Sequence, residues 1–332
     1  MSKATMPWRE RTVRVLVMFL TALKQMCGFM IMLFTGYVIT RQGLLRERGV
    51  EDMTGILVKV LIPVMMFNAL QVDFSAVLLR RGTVMFLGTF VMMGLALLLT
   101  RLTAGPLHVP ARVRGDWVFG AMFPNVGFIG LPIIAALFQE DEAIFLTTAV
   151  IVASNLVFTS LGGRVIQMYG PGRSLDKASI RTLLGMFLRS PGMVGFTAGI
   201  ICYCLRFRVP EVIGTPLGML SATTAPLSML TLGAMLTRCR WRDIFTDKYV
   251  YALCGIRLLA VPGVMWLLLR LSGAGPMMRV VGAIVFGMPG AAVMPGISLS
   301  NGGDPAWATK FTLLSTLLST ATVPLLRLLA LL

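Results

Sequence analysis

Two apolar segments of this chain, each long enough to cross a bilayer, are interrupted by proline and glycine at matching places. The first reads Met122-Phe-Pro-Asn-Val-Gly-Phe-Ile-Gly-Leu-Pro132, and the second Gly287-Met-Pro-Gly-Ala-Ala-Val-Met-Pro295-Gly. Proline removes a backbone donor and clashes with the preceding turn, so neither segment can run as one straight helix. Backbone freed in this way is tolerated at membrane depth only where it is buried in protein or lines a cavity. The interruptions therefore predict a bundle whose centre is built around two broken helices.

The rest of the chain fits a membrane setting. It is 56% hydrophobic and 13% charged, where a soluble domain carries about 25% charged residues. The apolar runs are continuous and lack a period of two, which argues for helices and against a barrel. The net charge of +16 is scattered through short loops and forms no aromatic-interleaved stripe, so a nucleic-acid partner is not expected. The first apolar stretch is interrupted by Lys24 and Gln25 and lacks a small-residue cleavage site, so no cleaved signal peptide is expected. Cys27, Cys202, Cys204, Cys239 and Cys254 include no C-x-x-C pair, and His108 is the one histidine. They read as packing residues, with no metal site, disulfide framework or cofactor.

Ten spans are predicted, near 22–40, 53–71, 83–100, 116–138, 143–163, 190–206, 214–237, 248–270, 277–299 and 307–330. Residues 1–21 form an N-terminal segment whose mixed arginine and apolar pattern reads as an interfacial amphipathic helix. Residues 22–163 and 190–332 each hold five spans, joined by a cytoplasmic linker over 164–189. The halves align without a gap at an offset of 163. Gly36 then meets Gly199, Pro63 meets Pro226, Gly127 meets Gly290, Pro132 meets Pro295 and Asp141 meets Asp304. Five spans per half is odd, so the second copy enters the membrane from the opposite side. The expected fold is an all-α polytopic membrane protein. Ten transmembrane helices form two inverted five-helix repeats, with broken helices 4 and 9 crossing. Paired interruptions of this kind mark the binding site of secondary transporters. With both termini outside, the inner loops hold fifteen basic residues and the outer loops six, as the positive-inside rule requires.

The candidate site follows from the breaks. Pro124, Gly127, Gly130 and Pro132 open the first helix, and Pro289, Gly290, Pro295 and Gly296 open the second. The N-terminus of a half-helix carries partial positive charge and favours an anion. Asn125 could donate its amide to a substrate carboxylate or satisfy backbone released by Pro124. Asn155, deep in the fifth span, reads as substrate contact or as interhelical glue. Arg257 is a charge about nine residues into the eighth span. It could neutralise the ends of the crossing half-helices, attract an anion, or snorkel to the surface. Lys59 and Lys310 read as snorkelling. No carboxylate is expected at mid-membrane.

Seven segments in order resemble the auxin efflux carrier family, which includes plant PIN auxin exporters and bacterial malonate and malate permeases. They are Gly36–Gly43, Leu57–Pro63, Asn125–Pro132, Ser190-Pro191 with Gly199, Ala225–Gly233, Gly287–Pro289 and Ser315–Pro324. The resemblance runs from about residue 25 to 330, and Asn-x-Gly-Phe-x-Gly-Leu-Pro is its most specific part. It implies two scaffold helices and three transport helices per repeat, organic-anion transport by an elevator-like movement, and a homodimer. The chain departs from many relatives in one respect. Gly290–Met294 is wholly apolar where they carry a polar residue, and Asn125 meets Met288 in the alignment of the halves.

The expected function is a permease for a small organic anion, a carboxylate by preference, in the plasma membrane (the inner membrane of a bacterium). A coupling proton or sodium ion is an expected partner. A channel-like anion pathway and a non-carboxylate solute stay open as alternatives. An enzyme is not expected, because no nucleophile and base, and no acid pair, lie at depth.

Overall fold

The computed structural model describes residues 8–138, 140–169, 185, 189–237 and 244–331. Most of the expected linker, with Arg173, Lys177 and Arg181, lies outside them. So do Arg238, Cys239, Arg240 and Arg242. The described chain is mostly helical and forms no strand, and its single β-type contact is a bridge between Pro124 and Gly290.

Helix α1 (Trp8–Arg41) is continuous, so residues 8–21 and the first apolar stretch share one helix. Helices α2 (Glu47–Ile56) and α3 (Ile62–Asn68) are joined by one π turn, Leu57–Leu61. Next come α4 (Ala76–Ala104) and α5 (Arg114–Met122). A π turn at Val126–Gly130 leads into α6 (Leu131–Phe138). Then come α7 (Asp141–Gln167), α8 (Pro191–Cys204) and α9 (Glu211–Leu236). Helices α10 (Lys248–Gly255) and α11 (Val261–Leu271) flank the π turn Ile256–Ala260. The chain closes with α12 (Pro276–Phe286), α13 (Met294–Ser300) and α14 (Pro305–Arg327).

Among the described residues, five helices are long and apolar enough to cross a membrane: Phe19–Arg41, Ala76–Ala104, Asp141–Phe158, Glu211–Leu236 and Lys248–Leu271. Shorter apolar helices, Val126–Phe138, Pro191–Cys204 and Pro276–Phe286, pack among them. Large apolar side chains such as Ile31, Phe34, Val91, Leu98 and Leu267 face outward, an arrangement suited to lipid and costly in water. Buried hydroxyls on the helices turn back on their own backbone: Thr89 donates to the Met85 carbonyl, Thr147 to Ala143 and Thr316 to Thr312. That satisfies a polar group without a partner helix.

The three π turns share one cause. Each ends two residues before a proline: Leu61 before Pro63, Gly130 before Pro132 and Ala260 before Pro262. Widening the preceding turn makes room for the ring and for the missing donor.

Glycine sets the closest helix approaches. A Cβ on Gly36 of α1 would stand 2.1 Å from the Leu230 carbonyl oxygen of α9, and one on Gly233 would stand 1.8 Å from that of Leu33. Gly195 of α8 is pressed as closely on Pro63 of α3. Small residues let these backbones touch, which is how helices associate when lipid offers no hydrophobic driving force.

Candidate functional site

The broken segments meet in the core and satisfy each other. Helix α5 stops at Met122, and Phe123 turns to extended backbone. Helix α12 stops at Phe286. The extended pieces then pair antiparallel: the Asn125 amide donates to the Pro289 carbonyl at 2.8 Å, and the Ala291 amide to the Phe123 carbonyl at 3.2 Å. Backbone groups orphaned by one proline thus find partners orphaned by the other, which removes the main cost of irregular chain at depth. The Asn125 carbonyl accepts from Gly130 at 3.0 Å, closing the π turn that opens α6.

Neighbouring helices complete the crossing. The Gly290 amide donates to Ser315 Oγ of α14 at 3.1 Å, and that hydroxyl donates to the Thr312 carbonyl at 3.1 Å. Phe311 wedges beneath both breaks. A Cβ on Gly120 would meet its ring at 2.7 Å, and one on Gly290 at 2.4 Å. Gly130 packs on Met288, where an added Cβ would lie 3.2 Å from its Cγ. Gly127 is roomier, its nearest neighbour for a Cβ being Ile62 at 4.0 Å.

Arg257 is the charge at this crossing. It sits in the π turn between α10 and α11 and is 0% exposed. Its Nε donates to the Met288 carbonyl at 3.0 Å and its Nη1 to the Ala121 carbonyl at 2.6 Å. Those carbonyls stand at the C-terminal ends of α12 and α5. Each helix end carries roughly half a negative charge, so one guanidinium balances both. The half-helix N-termini at α6 and α13 remain, together worth about one positive charge. Two buried donors at the crossing have no hydrogen bond within the protein: Arg257 Nη2 and Asn125 Nδ2.

Of the remaining expected site residues, Pro132 and Pro295 line cavities that Asn125 and Arg257 do not line, and Asn155 stands apart on α7. Pro132 lines a cavity of about 620 Å³ with Gln25, Asn68, Gln71 and Asp141. Pro295 lines a second cavity of about 420 Å³ with Leu232, Met235 and Thr312. Asn155 is half-buried on α7, its amide 3.9 Å from where a Gly192 Cβ would lie on α8. Among the described residues no cluster of His, Cys, Asp and Glu could hold a metal.

Sequence reasoning gave no site role to several groups that the fold brings in. Ser315 and Phe311 belong to the last helix and reveal themselves only through contact with Gly290. Asp116 lies in the first turn of α5 and is fully buried. Its position two turns before Pro124 on the same half-helix was the available signal.

Comparisons with known proteins identify the family. Residues 21–327 match the family model described as membrane transport protein. An uncharacterized transporter of Methanothermobacter thermautotrophicus is 26% identical over 326 residues, covering 93% of this chain and 98% of the relative. An uncharacterized transporter of Methanocaldococcus jannaschii is 27% identical over 218 residues, covering 63% of this chain and 67% of the relative. With its bundle of apolar helices, this is a multi-pass membrane protein, and it belongs to the membrane transport protein family, that of the auxin efflux carriers and PIN-like proteins.

Proposed function

We propose that the chain is a secondary active transporter of a small organic anion, bound as a carboxylate at the crossing of the two broken helices. The observation that carries this reading is the pair of unpartnered donors, Asn125 Nδ2 and Arg257 Nη2. Two N–H groups match the two oxygens of one carboxylate. The crossing keeps about one positive charge after the helix ends are balanced. That suits a singly charged head group better than two carboxylates held together. The walls of the cavities lined by Pro132 and Pro295 are mostly apolar and suit an apolar body.

Alternating access by an elevator-like movement rests on the inverted repeat, which three sets of observations support. Gly36 packs on Leu230, and Gly199 packs on Phe67, the same contact displaced by 163 in both partners. The bridge joins the two breaks themselves. Ala69, Val72 and Pro132 line the larger cavity, while Leu232, Met235 and Pro295, each 163 residues later, line the smaller. In the expected topology the larger cavity faces outside and the smaller faces the cytoplasm. The anion would leave one for the other as the crossing moves past α1, α3, α8 and α9, within a homodimer in the plasma membrane.

The test is uptake into proteoliposomes of radiolabelled malonate, malate, lactate and indole-3-acetate, each with and without a pH or sodium gradient. Saturable uptake of one acid, lost in Asn125→Ala while the variant still folds, is the expected result. Uptake unchanged in that variant would make Asn125 a backbone partner only. Non-saturable flux would favour a channel.

A further inference from the structure

Asp116 has no part in the crossing, yet it is 0% exposed in the first turn of α5. Its Oδ2 accepts from the Asp304 amide at 2.7 Å, and its Oδ1 has no partner. Asp304 caps α14, the helix that follows the second broken segment. Ser298 of α13 is also 0% exposed, and its Oγ has no partner by hydrogen-bond geometry. The oxygens converge. A Cβ on Gly303 would stand 2.5 Å from Ser298 Oγ and 2.7 and 2.8 Å from the Asp116 oxygens, so only glycine fits between them.

Among the described residues, the ion pairs shown do not include this carboxylate. Asp304 adds negative charge and faces the exposed Arg112 at 3.8 Å. On its own helix, Arg114 donates to the Val109 carbonyl. From α4, Arg101 reaches the Tyr169 hydroxyl. Arg164 lies in the last turn of α7, Lys310 on α14, and Asp247 with Lys248 at the start of α10. The ion pairs shown among the described residues join Arg81 to Glu142, Arg112 to Asp304 and Arg208 to Asp73. An ion removed from water costs several kcal/mol unless it is compensated. The N-termini of α5 and α14 offset only part of that cost.

We propose that Asp116, with Ser298, is a proton-binding site that couples protonation to the movement of the second broken segment. A proton on Oδ1 removes the uncompensated charge and leaves Oδ1 and Ser298 Oγ, a hydroxyl that can donate or accept, to hydrogen-bond as neutral groups. The O–H bond forms when this end of the bundle is closed. It breaks to water when the loop between α13 and α14 withdraws and wets the carboxylate. Protonation therefore selects the closed arrangement. For what the proton drives, this rests on the carrier reading; for the site itself it does not.

Infrared spectroscopy of the full chain in lipid, titrated with pH, tests the site without any substrate. Wild type should show a protonated-carboxyl band that disappears as pH rises and is absent from Asp116→Asn. Ser298→Ala, a small change that leaves the backbone intact, should shift the band's frequency and midpoint. Identical titrations of wild type and folded Asp116→Asn would overturn the proposal. So would an unmoved band in Ser298→Ala, or a band removed by sodium at constant pH. For any acid that wild type takes up, Asp116→Asn should lose accumulation driven by a pH gradient and keep exchange. Retained accumulation would refute the coupling.

Discussion

The two breaks use the same backbone device and differ in everything attached to it. The first ends in a π turn and carries Asn125, whose amide has an unused donor. The second holds Gly287, Met288, Gly290, Ala291, Ala292 and Val293 around its proline, with no polar side chain, and it is closed by its neighbours, with Ser315 on the Gly290 amide and Phe311 against that glycine. One break offers chemistry and the other is a tightly packed support. The difference teaches that two breaks can share a backbone shape without sharing side-chain chemistry, because antiparallel pairing of the two backbones already satisfies both.

Arg257→Met should give the largest effect, because one guanidinium serves both breaks. It strips two buried carbonyls, Ala121 and Met288, of their donor, at about 1–3 kcal/mol each. Thermal unfolding in detergent should drop markedly and uptake should vanish. A variant as stable as wild type would show that the helix ends do not need the charge. Gly290→Ala and Gly127→Ala then sharpen the contrast at equivalent positions. The added methyl meets Phe311 at 2.4 Å in the first case and nothing nearer than 4.0 Å in the second. Overpacking should destabilise Gly290→Ala by roughly 1–3 kcal/mol, while Gly127→Ala should unfold near the wild-type temperature. Equal losses would mean the two breaks are packed alike. Ser315→Ala is the mildest probe of the support. It removes one acceptor from the Gly290 amide and should cost about 1 kcal/mol, read from the same melts, with substrate affinity little changed.

Much of this architecture was legible from residue order. The expected apolar segments fall largely on helix, because length and hydropathy are local properties that lipid enforces, although α1 begins at Trp8 and α4 at Ala76, well before the expected starts at 22 and 83. The breaks were legible because Pro124, Pro289 and their glycines cannot continue a helix. Arg257 stood out as a charge in an apolar run, but three roles remained open for it. A choice among them depends on which carbonyls lie within reach, and those belong to residues more than thirty positions away. Asp116 passed unnoticed because it sits where a helix begins, a place where an acidic residue is ordinary. Its burial comes from the loop around Gly303, which sequence distance hides.

The sequence by itself determined that the chain is a helical membrane protein with two proline-broken segments, and which family it joins. It could do so because these signals are carried by composition, spacing and backbone chemistry within single segments. The tertiary structure alone decided that the two breaks pair with each other, that Arg257 holds both helix ends, and that Asn125 and Arg257 keep donors in reserve. Those facts arise from contacts between halves of the chain. Hydrogen bonds and packing act over a few ångströms in space, whatever the distance along the sequence.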